Sequence, residues 1–315
     1  MINDIVMCSK RKLSWVLGLS FIIYHLSFSL AEAQTIIFTG DILLDRGVRQ
    51  RINAVGIDSL FTPEIDSIFA HSDIVVGNLE CPATSTRTPA MKQFVFRGEP
   101  EWLEALHRHG ITHLNLANNH SVDHRRGGLI STAENCRKAG IIPVGMGKNL
   151  HEAVQPVLLY PQPIYLFPTL QLPLENFTYL PDEYSVSQES IDSLCQRIRL
   201  LRQAEPTAYI IVSPHWGIEH RVEPAQWQRR QARALIDAGA DCIIGHHPHT
   251  LQTIEQYKGK PIYYSIGNFI FDQTKPINTR ACMVQIRIAP TSVEVETIPI
   301  EINRCSPQLL HSFKE

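Results

Sequence analysis

Asp241-Cys242-Ile243-Ile244-Gly245-His246-His247-Pro248-His249 is a short apolar run that ends in three histidines within four residues. The apolar part has the length of a buried strand, and Gly245 marks its end. Four other β-rich runs end in similar polar clusters: Gly40-Asp41, Asn78-Leu79-Glu80, Asn118-Asn119-His120 and Pro214-His215-Trp216-Gly217. Because ligands bind beyond the carboxyl ends of strands in open α/β sheets, the five clusters predict one shared metal site, with two ions favoured.

Each cluster taken alone has an ordinary structural interpretation. Asp41 would serve as a turn or capping residue, and the Asn118-Asn119 pair would form a left-handed turn. His215 beside Trp216 would be a hydrogen-bonded core histidine. Three histidines within four residues are an unlikely accident in a chain with 14 histidines among 315 residues, so the clusters together favour metal binding.

The types of side chain in these clusters limit the metal. Carboxylate, imidazole and amide ligands together suit Mn, Fe or Zn better than Ca. One or two such divalent ions would polarise an oxyanion and activate a water molecule. His120 is the candidate proton donor, because its neighbour Asn119 can serve the metal while His120 points at substrate.

Strand patterns alternate with helical patterns along much of the chain. This alternation predicts an α/β fold with a mostly parallel sheet flanked by helices. The predicted helices span about residues 63–71, 100–109, 128–138, 189–203 and 224–238. Two hairpins are predicted at residues 250–266 and 281–298, and residues 161–183, which have no clear period, are predicted to form a long surface loop near the cleft.

The composition and the N-terminus indicate the class of protein. A hydrophobic fraction of 44% fits a globular protein with a sizeable core, and a net charge of −2 argues against a nucleic-acid partner. Lys10-Arg11-Lys12, the apolar residues 13–30 and Ala31-Glu32-Ala33 together resemble a secretory signal over residues 1–33. An uncleaved N-terminal anchor is the alternative. Either form predicts an exported protein, periplasmic or on the outer face of the membrane, with a single domain at residues 34–315.

Taken in order, the motifs resemble those of the poly-γ-glutamate capsule biosynthesis (CapA-type) proteins, which are similar to calcineurin-like metallophosphoesterases. The resemblance runs from about residue 35 to residue 272. It is carried by Thr39-Gly40-Asp41, Asn78-Leu79-Glu80, Asn118-Asn119-His120 with Asp123, His215-Trp216-Gly217 with Glu219, His247-Pro248-His249 with Gln252, and Ser265-Ile266-Gly267-Asn268-Phe269 with Asp272. It implies a four-layer α/β/β/α sandwich with a dinuclear metal site.

The resemblance also implies a role for each residue. Asp41 and His249 would serve a first metal, Glu80 would bridge or serve the first metal, and Asn119, His215 and His247 would serve a second. His120 would be catalytic, and His246 would be a neighbour rather than a ligand. The residues expected to support the ligands or touch substrate are Asn78, Asn118, Asp123, Glu219 and Asn268.

The chain departs from the phosphoesterase pattern at two positions. Leu43 stands where a histidine is expected, and Asn78 stands where a bridging aspartate is expected. The first metal site would therefore be short of ligands unless Glu80, Asp45 or another group compensates.

The resemblance predicts a role in the biosynthesis of a capsule or cell-envelope polymer. The chain would be a metal-dependent hydrolase acting on a phosphoester or on an amide of a polyglutamate-like anionic polymer. A membrane complex with a polymer synthase would be its partner. The alternative is a non-catalytic metal-binding factor for polymer synthesis or export.

Overall fold

The computed structural model describes residues 33–159 and 161–310. The segment predicted to be a signal or anchor lies outside the described residues except for Ala33, where a compact unit begins. None of the helices in the described ranges has the length and apolar character needed to cross a bilayer.

Strands and helices alternate through the first two thirds of the described chain. The strands are β1 (Gln34–Ile42), β2 (Ile74–Leu79), β3 (His113–Asn115), β4 (Ile142–Val144), β5 (Met146–Gly147), β6 (Val157–Leu159), β7 (Ile164–Leu170), β8 (Ser185–Val186), β9 (Tyr209–His215), β10 (Cys242–Ile244), β11 (Ile254–Tyr257), β12 (Lys260–Tyr263), β13 (Asn268–Ile270), β14 (Arg280–Ala289), β15 (Ser292–Asn303) and β16 (Ser306–Leu309). The helices are α1 (Arg46–Val55), α2 (Pro63–Ala70), α3 (Trp102–Arg108), α4 (Arg125–Lys138), α5 (Leu150–Ala153), α6 (Ile191–Ala204), α7 (Gln226–Ala238) and α8 (Pro276–Thr279), with a 3₁₀ turn at Ile57–Leu60.

The strands form two large sheets. Sheet I has the order β16-β15-β14-β1-β2-β3-β4, and β13 also pairs with β1. Sheet II has the order β11-β12-β10-β9-β7-β6, and β5 and β8 form a separate small pair. Strands β1 to β4 are mutually parallel, as are β7, β9, β10 and β12, whereas the hairpin strands β14 to β16 extend sheet I in antiparallel fashion.

The two sheets pack face to face, and helices cover their outer faces. In β1, Phe38 packs between the sheets while Ile37 packs against the helices of sheet I. In β9, Ile211 packs between the sheets while Ile210 and Val212 pack against α6 and α7. Since successive side chains of a strand point to opposite faces, this alternation defines four layers. The predicted α/β/β/α sandwich is confirmed.

The five predicted helices are present, with ends within a few residues of those expected. Thr62 caps α2, which opens with Pro63, and Gly239 ends α7 at a φ of 120°. Helix α1 was not predicted, because only Val48 and Ile52 of this mostly polar helix are buried. Its apolar stripe is narrow, and two buried positions four residues apart are too few to reveal a helix.

The prediction of a surface loop at residues 161–183 was wrong for its first part. Residues 164–170 form β7, which pairs in parallel with β9 along its whole length. Its residues are almost all buried, so the run lacks the polar alternation of an exposed strand. Pro168 is tolerated because β6 pairs with β7 only as far as Leu166, which leaves the N–H position of Pro168 without a neighbouring strand on that side.

Both predicted hairpins are present, as β11–β12 and β14–β15. Lys258 and Gly259 form the turn of the first hairpin at positive φ, which suits a two-residue connection. Strand β12 also pairs in parallel with β10, and β14 pairs with β1, so each hairpin extends one large sheet.

Candidate metal centre

The predicted ligands lie at the edge where the carboxyl ends of both sheets meet. Asp41 lies near the end of β1 and Glu80 directly follows β2. From sheet II, His215 is the last residue of β9, and the histidine cluster follows β10. An isolated bridge between His215 and His246 ties the two ends of sheet II together. Face-to-face packing of the sheets thus places two carboxylates opposite several imidazoles.

The possible ligand atoms form two groups that share Glu80. In each group the ligand atoms lie within 4.8 Å of one another: Asp41, Glu80 and His249 form one, and Glu80, His215 and His247 form the other. Asn119 Oδ1 lies 2.8 Å from His215 Nε2, which adds the amide to the second group. All six predicted metal ligands are therefore brought together.

Glu80 has the surroundings of an anionic ligand. Its side chain is 0% exposed, and neither carboxylate oxygen has a hydrogen-bond partner among the described residues. His215 Nε2 and His249 Nε2 each lie 3.6 Å from Glu80 Oε1, beyond hydrogen-bond distance. Because burying a carboxylate without compensation is costly, a divalent cation on either side of Glu80 would satisfy atoms that the protein leaves unpaired. The residues fit a metal centre.

Burial and mutual charge shift the pKa values of this cluster in opposite directions. Burial raises the pKa of Glu80 well above its ordinary value. Burial would also raise that of Asp41, but bonds to His246 and His249 outweigh it and hold the pKa well below its usual range. Burial opposes the charge of His249, yet Glu80 and Asp41 raise its pKa to about 9. Burial lowers the pKa of His247 to about 3. Without metal, the Glu80–His249 pair therefore favours retaining protons that a cation would displace.

Metal removal should destabilise the protein most at alkaline pH. The folded-state pKa values of Glu80 and His249 lie above those of the unfolded chain, so the stability they contribute to the metal-free protein is lost as pH rises, up to about pH 9 for His249. Metal binding becomes stronger over the same range because it displaces these protons. The stabilisation by manganese, seen as the difference in Tm between manganese-loaded and EDTA-treated protein, should grow between about pH 6 and about pH 9. In free energy it should reach about 3 kcal/mol where free metal is in 100-fold excess over Kd. A difference that shrinks as pH rises would contradict this electrostatic picture.

The loop after β10 adopts an unusual backbone to present its histidines. His247 and His249 have φ values of 99° and 54°, in the left-handed region that side chains rarely occupy. Gly245 is required because a Cβ there would lie 2.1 Å from the carbonyl oxygen of Tyr264. Strain of this kind persists where the surrounding structure enforces it, and it is common at functional sites.

A buried polar layer supports the ligands from behind. Asn78 Nδ2 donates to Asp41 Oδ1 at 2.8 Å, and Asn118 Nδ2 donates to Asn78 Oδ1 at 3.2 Å. Asn268 Oδ1 lies 3.0 Å from His249 Nδ1, which leaves His249 Nε2 facing Glu80. Such contacts orient metal-ligating side chains.

His246 interacts with a predicted metal ligand more directly than the sequence indicated. It belongs to neither ligand group, but its Nδ1 lies 3.3 Å from Asp41 Oδ1 and its ring is buried. It therefore supports Asp41, whose pKa it helps to lower.

His120 and Asp123 form a buried pair beside the second ligand group. His120 Nδ1 lies 2.8 Å from Asp123 Oδ2. The carboxylate also accepts a bond from the backbone N–H of Phe96 at 2.7 Å and one from Lys92 Nζ at 2.8 Å. With these donors in place Asp123 acts as an acceptor, so His120 Nδ1 donates its proton and Nε2 is left to exchange one. Sequence reasoning missed Lys92 and Phe96, which lie in an irregular loop without a recognisable pattern.

The surroundings of two further carboxylates, Asp45 and Glu219, could not be predicted from the sequence. Asp45 does not supply a missing ligand, because it caps α1 and accepts bonds from Arg49 Nε at 3.0 Å and from the backbone N–H of Arg97 at 2.8 Å. Glu219 is half exposed at the rim, and its carboxylate lies 3.8 Å from His220 Nε2.

The sequence was compared with known proteins. The sequence profile of a family described as "Bacterial capsule synthesis protein PGA_cap" matches residues 35–273. The chain is 32% identical to a PGA biosynthesis protein CapA of Bacillus subtilis over 279 residues, 86% of this chain and 72% of that protein. It is 29% identical to a capsule biosynthesis protein CapA of Bacillus anthracis, over 88% of this chain and 69% of that protein. A probable polyglutamine synthesis accessory protein of Mycobacterium tuberculosis is 29% identical over 64% of this chain and 56% of its own length.

Proposed function

Because this chain belongs to the family of CapA-type bacterial capsule synthesis proteins, we propose that it is an exported, metal-dependent hydrolase that acts on an anionic polymer or phosphoester of the cell envelope. The observation that carries the proposal is the position of Glu80, which is shared by two groups of possible ligands. Both of its carboxylate oxygens are buried and find no hydrogen-bond partner in the described part of the chain. A carboxylate in that position is poised to neutralise cations on both sides of it.

Two ion positions follow from the ligand groups. Asp41, Glu80 and His249 would hold one divalent ion, and Glu80, Asn119, His215 and His247 would hold the other. Nitrogen and oxygen donors of these kinds suit Mn, Fe or Zn. Such ions, when bound, polarise an oxyanion and lower the pKa of a bound water.

A residue of the protein would donate the proton that the leaving group requires. His120 is the proposed proton donor to the leaving group, since Asp123 fixes its Nδ1 and leaves its Nε2 available. Phe96, whose ring centroid lies 4.4 Å from that of His120, excludes water from one face of the imidazole. Acid–base catalysis of this kind typically contributes about 10²- to 10⁴-fold.

The substrate and the location are proposed from the relatives and the N-terminus. The names of the two Bacillus relatives refer to capsule or PGA biosynthesis, which favours a polyglutamate-like polymer, and a polymer synthase in the membrane would be the partner. The site itself suits hydrolysis of a phosphoester or of a polymer amide. Export is proposed from the basic triplet, the apolar run and the small-x-small residues of positions 1–33.

A non-catalytic role in polymer synthesis or export is the second candidate. It is favoured by the name of the mycobacterial relative, which describes an accessory protein. In this role the same metal centre would bind carboxylates of the polymer without turnover.

Metal content and turnover, measured on the same preparation, separate the two candidates. We expect elemental analysis to find about one or two transition-metal ions per chain, because two ligand groups share Glu80. Hydrolysis of bis-p-nitrophenyl phosphate or of γ-glutamate oligomers should be lost on chelation and restored by Mn²⁺. Bound metal without turnover of either substrate would favour the accessory role. A protein that holds no metal and takes none up would contradict both.

A further inference from the structure

Arg46 lies beside the candidate metal centre and has no part in the chemistry described so far. Its guanidinium carbon lies 5.1 Å from the centre of the Phe96 ring and 5.4 Å from that of the Phe271 ring. Both distances are within the range of cation–π contact. Two buried aromatic rings therefore hold the guanidinium in one place.

These two rings connect Arg46 to both halves of the centre. The Phe96 ring lies 4.4 Å from the imidazole of His120, and the Phe271 ring lies 4.6 Å from that of His249. Arg46 and the proposed proton donor thus contact the same ring, that of Phe96. Arg46 and one proposed ligand contact the ring of Phe271.

Asp272 fixes the orientation of the guanidinium without covering it. Arg46 Nε donates to Asp272 Oδ2 at 3.1 Å, and Arg46 Nη2 bonds the other carboxylate oxygen. The backbone N–H of Gly47 donates to the same carboxylate at 3.0 Å. The side chain of Arg46 is still 37% exposed, and its Nη1 meets no hydrogen-bond acceptor within the described ranges. An oriented donor edge remains available to a ligand.

A cavity of about 320 Å³ opens in front of this edge, lined by Arg46, Lys275 and His220 together with Asp272. It adjoins the ligand shell, because Asn278 in its wall donates to the backbone carbonyl of His249 at 2.8 Å. Arg46 and Lys275 bring two positive charges against the single negative charge of Asp272. Glu219 lies near the rim beside His220. The cavity is large enough for a carboxylate or phosphate group and its first carbons.

We propose that Arg46, assisted by Lys275, binds an oxyanion of the substrate, a carboxylate or a phosphate, next to the bond that reacts. This inference rests on the proposed function and specifies which group of the substrate is recognised. Arginine suits the task because its planar fork matches two oxygens of one anion, whereas lysine offers only a point charge. Arg46 would contact the substrate and determine which substrates bind. It would not be one of the metal ligands.

Equilibrium binding to the full-length, metal-loaded protein tests the proposal. The probes are a γ-glutamate oligomer, which offers carboxylates, and inorganic phosphate; stronger Arg46-dependent binding of one of them identifies the source of the anion. Arg46→Gln should weaken binding about 10- to 100-fold, the usual worth of a charged hydrogen bond. Arg46→Lys should be intermediate, and Lys275→Gln should weaken binding several-fold. Arg230→Gln, at an exposed position on α7, is the matched control and should bind like wild type.

Metal content and Tm of every variant separate recognition from folding. The proposal requires that Arg46→Gln keep its metal while losing affinity for the anion. It is overturned if Arg46→Gln binds both probes like wild type. If Arg46→Gln fails to fold, the Lys275→Gln variant is the test, because Lys275 is exposed and its side chain makes no hydrogen bond or salt bridge with the described residues. Unchanged binding by that variant overturns the proposal.

The same measurements separate this inference from the proposed hydrolysis. If anion binding depends on Arg46 but no substrate is hydrolysed, the proposed anion subsite is supported and the proposed hydrolysis is contradicted. If the protein hydrolyses a substrate but the variants of Arg46 and Lys275 bind the anion like wild type, the proposed hydrolysis is supported and the proposed anion subsite is contradicted.

Discussion

Glu80→Gln is expected to remove most of the bound metal and to lower hydrolysis by roughly 10³-fold or more, since metal ions supply several kcal/mol of transition-state stabilisation. Glutamine keeps the shape of the side chain but removes the charge that both ligand groups share. The metal-free variant should be no less stable than metal-free wild type at neutral pH, because it no longer buries a carboxyl group to which residues 33–159 and 161–310 offer no hydrogen bond. Elemental analysis, turnover and Tm on the two proteins measure these effects.

Single-histidine variants provide the comparison for Glu80→Gln. His247→Ala and His249→Ala each disturb one ligand group, so each should retain more metal than Glu80→Gln. His246→Ala removes a neighbour of Asp41 and should lower metal affinity about 10- to 100-fold, the usual cost of losing a residue that orients a ligand. If Glu80→Gln keeps full metal occupancy, Glu80 is not the shared ligand. If His246→Ala strips the metal while His247→Ala does not, the ligand assignment is displaced by one residue.

His120→Ala is expected to leave metal content unchanged and to lower turnover about 10²- to 10⁴-fold. The reason is that His120 bonds Asp123 rather than either ligand group, so its removal takes away the proton donor alone. Asp123→Asn should act in the same direction, since it removes the acceptor that fixes the tautomer of His120. Loss of metal in His120→Ala would show that His120 is a ligand and that the proton donor lies elsewhere.

Local patterns allowed much of the fold to be predicted. The caps and stop signals of α2 and α7 and the turn at Lys258-Gly259 act within a few residues, so they are legible in sequence. Strand β7 was mistaken for a loop, because a strand buried on both faces loses its polar alternation and because Pro168 is a loop signal in most contexts. Pairing with a strand distant in sequence overrode both cues.

The residues that gather at the candidate metal centre could be predicted from local sequence patterns. Parallel strands align their carboxyl ends, so polar clusters at strand ends predict a shared edge without any coordinates. The motif order resembled the CapA-type proteins, and the family match confirmed that resemblance.

The part that each charged side chain plays depends on the packing of distant segments. Asp45 and Glu80 are both carboxylates just beyond a strand, yet Asp45 caps a helix, whereas Glu80 belongs to both groups of possible ligands and has no hydrogen-bond partner among the residues that the structure describes. Arg46 gave no signal in the sequence, and its position against Phe96 and Phe271 depends on loops that are far apart in the chain. The physical reason is that burial and nearby charge decide whether a charged group supports the fold or binds a ligand, and both are set by packing between distant segments.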